Sequence, residues 1–309
     1  MSLLIIGYKR ANEIKRVIEN VSYFKPKKLY LAMDGPKDLN DNLLCTNARE
    51  AALKSINWDC EIQTNFSKNN KGLREFILTS IDWFLSYEKE GLILEDDILI
   101  HPEFPKFARY FIKKENIGCI SACTFDSYLK NNQKNPKYTF LSKIPSIWGW
   151  YCTKKTWENF RNWERPTESP IIYFMKLKKR IGFWQSLIFA MIIDYINQNK
   201  LSTWDYDFAY FLITNDKYTI FPGICMAENI GNSSLATHTI TQDELTPKLS
   251  KLNINLSKIK SNPILNKNYM NNQSSNIMVK NEYKINAIKS LLKYVIKFFL
   301  NFFGLKIGL

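Results

Sequence analysis

Residues 92–104 read Leu92-Ile93-Leu94-Glu95-Asp96-Asp97-Ile98-Leu99-Ile100-His101-Pro102-Glu103-Phe104. Three apolar residues run into three consecutive carboxylates, and three more apolar residues follow. A buried strand normally excludes such a cluster, because an unpaired carboxylate taken out of water is costly or neutralises itself. The pattern is tolerable where a strand ends at the mouth of a site and a hard divalent cation sits among the oxygens. A solvated acidic turn between two strands is the alternative, and the neighbouring segments decide between them.

Upstream, residues 3–7 (Leu3-Leu4-Ile5-Ile6-Gly7) have the composition of a buried strand. From Asn12 to Ser22 the apolar residues Ile14, Val17, Ile18 and Val21 recur at helical spacing. Lys28 to Met33 reads as a second strand ending in the turn former Asp34-Gly35-Pro36. Ala48 to Ile56 predicts a helix, Cys60 to Asn65 a strand, Leu73 to Tyr87 an amphipathic helix and Gly91 to Asp96 a fourth strand. This alternation predicts an α/β fold, a mostly parallel sheet flanked by helices. Ligands in such sheets bind at the carboxyl ends of the strands. Arg10, Asp34 and Glu95-Asp96-Asp97 all fall at strand ends, so one crevice would receive them.

Downstream, Pro105 to Lys114 predicts a helix and Ile117 to Ala122 a strand, whereas Asn131 to Lys143 is polar and loop-like. Helices are expected over Lys154 to Phe160 and Ile181 to Asn197. From Thr246 the composition turns to Asn, Lys and Ser. The expected organisation is a folded domain over 1–245, a polar linker over 246–282 and a basic amphipathic helix over 283–309.

The formal charge of the 309-residue chain is +14, and residues 246–309 hold eleven Lys, no Arg and one acid, Glu282, or about +10 of it. The body is therefore only mildly basic, which argues against a nucleic-acid-binding face. The six cysteines form no Cys-x-x-Cys pair, so reduced thiols in a cytosol are expected rather than zinc or a disulfide scaffold. The N-terminus reads as a first strand rather than a signal sequence, and no run of about 18 apolar residues predicts a spanning helix.

Glu95-Asp96-Asp97 with Pro102-Glu103-Phe104 resembles the metal motif of the N-acetylglucosaminyltransferase I group of A-type (GT-A) glycosyltransferases. Trp148-Gly149-Trp150 with Trp157, then Trp204-Asp205-Tyr206-Asp207, then Glu228-Asn229-Ile230-Gly231-Asn232 with Ala236-Thr237-His238-Thr239, resemble motifs of bacterial relatives of that group in the same order. The resemblance covers roughly residues 3–240. It implies the GT-A (nucleotide-diphospho-sugar transferase) fold and a bound Mn²⁺ or Mg²⁺.

The resemblance sets roles on individual residues. Arg10 and Asp34 are similar in position to residues that contact the nucleotide base and ribose; for Asp34 a plain Asp-Gly-Pro turn is the alternative. Asn70, Gly72 and Arg74 open the helix after the third strand, where a helix N-terminus, a glycine and a cation suit phosphate or ribose; capping by Asn70 is the alternative. Asp97 is the expected direct metal ligand, and Asp96 contacts ribose or reaches the metal through water. The cation would neutralise the departing nucleoside diphosphate. Glu95 lines the nucleotide-sugar site or accepts backbone N–H bonds. An inverting transferase needs a base for the acceptor hydroxyl; Asp205 is the expected base and Asp207 an accessory, and helix capping by Asp205 is the alternative. Trp148, Gly149 and Trp150 are expected at the donor sugar, with at least one ring stacking on it. His238 is a candidate for the metal or diphosphate, or a structural hydrogen bond.

In 283–303, drawn as a helix, Asn286, Lys289, Ser290, Lys293, Lys297 and Asn301 share a sector of about 120° and aliphatic and aromatic residues fill the rest. That is the signature of a helix in a bilayer interface, and packing on the domain or a dimer interface is the alternative. The expected protein is an inverting, metal-dependent glycosyltransferase at the inner face of a bacterial cytoplasmic membrane. Its donor would be a nucleoside diphosphate sugar and its acceptor a cell-surface glycan or lipid-linked glycan. A sugar nucleotidyltransferase and a non-catalytic glycan- or nucleic-acid-binding protein are the competing expectations.

Overall fold

The computed structural model describes residues 1–124, 137–199, 201–231, 247–252, 259 and 263–265. β1 (Ser2–Gly7) is buried along its whole length, with Leu3, Leu4 and Ile5 fully out of water. Each such aliphatic side chain contributes about 1.5–3 kcal/mol of transfer free energy. α1 (Ala11–Val21) buries Ile14, Val17, Ile18 and Val21, the four positions at helical spacing. There follow β2 (Lys28–Met33), α2 (Leu39–Lys54), β3 (Glu61–Phe66), α3 (Leu73–Tyr87), β4 (Glu90–Glu95), β5 (Ile98–Ile100), α4 (Phe104–Phe111) and β6 (Ile117–Ser121). β7 (Thr139–Ser142), β8 (Trp150–Thr153), α5 (Lys154–Arg161), α6 (Pro170–Ile181), α7 (Phe183–Asn197), α8 (Asp205–Thr214), β9 (Tyr218–Pro222), β10 (Ala227–Asn229) and β11 (Ile264–Leu265) complete the described elements.

One sheet has the strand order β11-β7-β9-β6-β8-β4-β1-β2-β3. β1 lies parallel to β2 and to β4, and β2 parallel to β3. β8 is antiparallel to both β4 and β6. β6 and β9 are parallel, while β7 runs antiparallel to β9. The chain is thus α/β, with a mostly parallel central sheet flanked by helices. A separate two-stranded ribbon pairs β5 with β10.

Side chains from α1, α2 and α4 pack with alternate residues of β1, β2 and β4 into one apolar layer, which includes Ile14, Ala48 and Phe107. The opposite face carries Phe76, Ile81 and Phe84 of α3, Trp157 of α5 and Phe208 of α8. A third cluster joins the α6–α7 hairpin to α8 through Tyr173, Leu177, Ile188 and Tyr210.

The structure departs from the sequence reading in several places. α2 begins nine residues before the expected Ala48, at Leu39, capped where Asp38 accepts from the Asp41 N–H. Its buried stripe is Asp41, Cys45, Ala48 and Ala52, small or polar residues that give no hydrophobic period. β7 occupies part of the stretch expected as loop, and β8, β9 and β10 are short strands that the pattern does not reveal. The helix expected at 181–197 is present as α7, and an unexpected helix, α6, precedes it in a hairpin that turns at Gly182, which has φ +85°. Nor is 246–282 wholly a linker: the Ser250 N–H donates to the Cys225 carbonyl (2.9 Å), Ile259 is buried, and β11 pairs in parallel with β7. His238 and the helix expected over 283–309 lie outside the described residues.

Candidate functional site

Chain order in the sheet reverses between β1 and β4: β1 leads outward to β2 and β3, while β4 lies on its other side. In open α/β sheets the crevice outside the carboxyl ends at such a reversal is where ligands bind. Here β1 delivers Tyr8 and Arg10, and β4 delivers Glu95, Asp96 and Asp97. The Arg10 guanidinium bridges the acidic pair. One nitrogen donates to Asp96, and Nη1 lies 2.9 Å from Asp97 Oδ2. Asp96 also accepts from the Tyr8 N–H at 3.2 Å. The β5–β10 ribbon closes the site from above, because the Ile230 N–H donates to the Asp97 carbonyl (2.8 Å). Gly231 then rests against Asp97 Oδ2 and Arg10, where a Cβ would collide with both. Gly231 is thus part of the site; its signal in the sequence was the Glu228–Asn232 motif.

The carboxylates outnumber the cation that faces them. Burial, and then the neighbouring Asp97 and Asp96, push Glu95 up to about 8, against the pull of Arg10. The charge of Asp205, at the N-terminus of α8, raises it further. Asp97 is pushed up to about 6, first by burial and then by Asp96, with Arg10 opposing. Among the described residues the Glu95 side chain makes no hydrogen bond or ion pair, while its backbone sits in the ladder with β1 opposite Ile6. Asp96 and Asp97 form a hard, all-oxygen pair that converges on one positive centre. Among the described residues no third potential ligand converges with them. A pair of carboxylates is nonetheless the usual protein share of a Mg²⁺ or Mn²⁺ site completed by substrate phosphates and water. The residues fit such a cation once Arg10 yields its place.

Asp205 is the first residue of α8, and burial raises its pKa. Its carboxylate accepts from the Thr203 hydroxyl and from the N–H groups of Asp205 and Tyr206, which oppose that shift. Capping is therefore true of it, and its charge is felt at Glu95. Asp207 is different: it is buried and clamped between two arginines, Arg165 on Oδ1 and Arg74 on Oδ2 at 2.7 Å. Arg165 also donates to Asn197 Oδ1 (2.6 Å), so the clamp ties α3, α7 and α8 together. Arg165 carried no sequence signal.

Other expected ligands are turned elsewhere. Asp34 Oδ1 accepts from the N–H groups of Gly35 (2.8 Å) and Lys71 (3.0 Å), and Oδ2 from Asn70 Nδ2 (3.0 Å) and the Gly72 N–H (3.2 Å). Four bonds fill a carboxylate's acceptor capacity, so Asp34 organises the turn before α3 instead of reaching for a base. The same bonds occupy the N–H groups of Lys71 and Gly72, and Asn70 is spent on Asp34 and the Gly35 carbonyl. The internal carboxylate stands where a phosphate was expected. Arg74 is committed to Asp207 and to the Thr203 carbonyl.

Trp150 is 2% exposed and packs against Trp157, Trp204 and Phe208 with centroids 5.3–6.2 Å apart, so it is core and not a sugar platform. Gly149 has φ +69°, and an added Cβ would lie 2.8 Å from Ile100 Cδ1. It is needed for that conformation and for packing on β5, not for approach to a ligand. Trp148 is half-buried at the edge of the first apolar layer and alone of the three is placed to meet a solute. Tyr8 Oη and Lys9 both bond Asp41 of α2, Lys9 at 2.7 Å, which turns them away from the acidic cluster.

No known family's sequence profile matches the chain, and no characterised protein shows significant sequence similarity to it. Among the described residues no helix is long and apolar enough to cross a membrane.

Proposed function

We propose that the chain is an inverting, metal-dependent glycosyltransferase of GT-A type, which moves a sugar from a nucleoside diphosphate donor to a cell-surface or lipid-linked glycan. The observation that carries this reading is the acidic cluster of β4 at the reversal of strand order, with Arg10 across it and Asp205 beside it. Mn²⁺ or Mg²⁺, when bound, supplies the positive charge that stabilises a departing nucleoside diphosphate. Asp96 and Asp97 would hold that cation, and Arg10, which now pairs with both, would remain at the site as a second positive charge. Asp205 takes the proton of the attacking acceptor hydroxyl while the bond from the anomeric carbon to the diphosphate breaks. A carboxylate pKa raised by burial suits that task, because it increases the proton affinity of the base. The nucleotidyltransferase alternative needs Lys9 at a triphosphate, and Lys9 is held on Asp41. The basic 283–309 segment is read as the element that holds the enzyme to the inner face of the cytoplasmic membrane.

The test is a panel of nucleoside diphosphate sugars with the full chain, reading donor binding by calorimetry and slow donor hydrolysis by released diphosphate. Binding and hydrolysis should require Mn²⁺ or Mg²⁺ and vanish in Asp97→Ala. Asp205→Asn should lower transfer to an acceptor by about 10²-fold or more while donor binding holds. A chain that binds no donor in the panel, or binds equally in EDTA, refutes the reading.

A further inference from the structure

The α6–α7 hairpin has a surface that the transfer chemistry does not use. On α6 the buried stripe is Pro170, Tyr173, Leu177 and Ile181. The opposite arc carries Ile172 (43% exposed), Met175 (66%) and the exposed Lys176, Lys178 and Lys179. At the tip, beyond the sharp turn at Gly182, Phe183 and Trp184 are 46% and 48% exposed. The three aromatic rings of this end touch in series: Phe174–Phe183 at 5.2 Å and Phe183–Trp184 at 5.1 Å. The Lys178 ammonium stands over both Phe174 and Phe183, 5.8 and 5.7 Å from the ring centroids. From Ser169 to Ile193 the chain has four cations and no acidic residue. Glu168 pairs with Lys176 and Asp216 lies near Arg180, which leaves Lys178 and Lys179 without an acidic partner among the described residues.

Large apolar side chains at a hairpin tip normally retreat from water or meet a partner. The patch is aromatic at its end, beyond Gly182, and flanked along α6 by lysines with long apolar stems. Those stems can bury while the ammonium groups stay at the level of anionic headgroups, and Trp and Phe suit the boundary between headgroups and acyl chains. We propose that the tip of the α6–α7 hairpin is a docking surface for an anionic lipid bilayer, with Phe183 and Trp184 inserting and Lys178 and Lys179 contacting headgroups. This stands apart from the identity of the transferred sugar and from the 283–309 segment.

The test is co-sedimentation of the full-length protein with phosphatidylcholine vesicles, with and without about one third phosphatidylglycerol. Three variants are compared: Phe183→Ser with Trp184→Ser, Lys178→Gln with Lys179→Gln, and Lys106→Gln with Lys113→Gln as a charge control elsewhere on the surface. The parent should bind the anionic vesicles and bind pure phosphatidylcholine more weakly. The aromatic pair of substitutions should lower binding to anionic vesicles at least tenfold. The hairpin lysine pair should lower it about thirtyfold, as expected when two residues each contribute about 1 kcal/mol near such a surface, and more than the control pair does. Because all four hairpin side chains are exposed, melting temperature and donor hydrolysis should match the parent. The proposal is overturned if the parent ignores anionic vesicles or if the hairpin variants bind like the parent. It is equally overturned if the aromatic variant instead loses a dimer by size exclusion, which would make the tip a contact between two copies. Donor hydrolysis measured on the same samples separates this failure from failure of the transferase reading.

Discussion

Substituting Arg10 by Met keeps an unbranched apolar stem and removes the only cation that pairs with Asp96 and Asp97 among the described residues. The Arg10 side chain is 14% exposed and those of Asp96 and Asp97 are 3% and 10%, so solvent screens the pairing poorly. Breaking one side of a buried ion pair costs about 3–5 kcal/mol, because the remaining charges are left without compensation. At about 2 °C per kcal/mol for a chain of this size, Tm in EDTA should fall by about 6–10 °C. Added Mn²⁺ should then stabilise the two proteins unequally. In the parent the ion must displace the guanidinium; in Arg10→Met it enters a ready pair of carboxylates. Saturation a hundredfold above Kd stabilises by about 2.7 kcal/mol, so the variant should recover about 5 °C and the parent less. Differential scanning fluorimetry in EDTA and in a Mn²⁺ series reads both effects. An unchanged Tm in EDTA, or a larger Mn²⁺ response in the parent, would refute the idea that guanidinium and metal compete for one place.

Asp207→Asn should cost about 2–4 kcal/mol, since Arg74 and Arg165 lose their shared charge and Arg74 is partly screened by water; Asp205→Asn should leave stability within about 1 kcal/mol, because burial already disfavours its charge. Urea midpoints check the pair, and the reverse ranking would dismiss the clamp. Stability of the metal-free protein should fall as pH rises from about 5 to 8: Glu95, held near 8, and Asp97, near 6, keep protons in the folded state that the unfolded chain has already released. The loss should level off above about 8, and a midpoint that climbs from pH 5 to 8.5 would contradict it.

The halves of the fold differed in how openly the sequence declared them. β1, α1, β2 and α3 are long, regularly spaced and buried on one continuous face, so periodicity alone located them within a residue or so. α2 hides because its inner face is Asp41, Cys45, Ala48 and Ala52, and α6 hides because the exposed Ile172 and Met175 blur its buried stripe of Pro170, Tyr173, Leu177 and Ile181. The acidic cluster was legible for a different reason: three carboxylates inside an apolar stretch are unusual, and their burial separates them from the solvated acidic turn that was the alternative. The partners of Asp34, Arg74 and Trp150 were not legible, because hydrogen bonds to backbone N–H groups and ring packing join residues far apart in the chain. A carboxylate next to Gly-Pro reads alike whether it serves a ligand or the turn, and only the count of its bonds decides.

The two margins of the nine-stranded sheet are guarded in unlike ways. At one, β3 presents Glu61, Gln63 and Asn65 among its largely exposed residues, a polar row that gives a second chain little to add to. At the other, β7 reads Thr-Phe-Leu-Ser, and Phe140 and Leu141 are the residues paired by Ile264 and Leu265 of β11. An open edge of that composition is a template for strand addition from another molecule. Two residues that look like part of a linker therefore act as a cover, and a chain shortened before Ile264 would trade a solubility safeguard for a few residues of length.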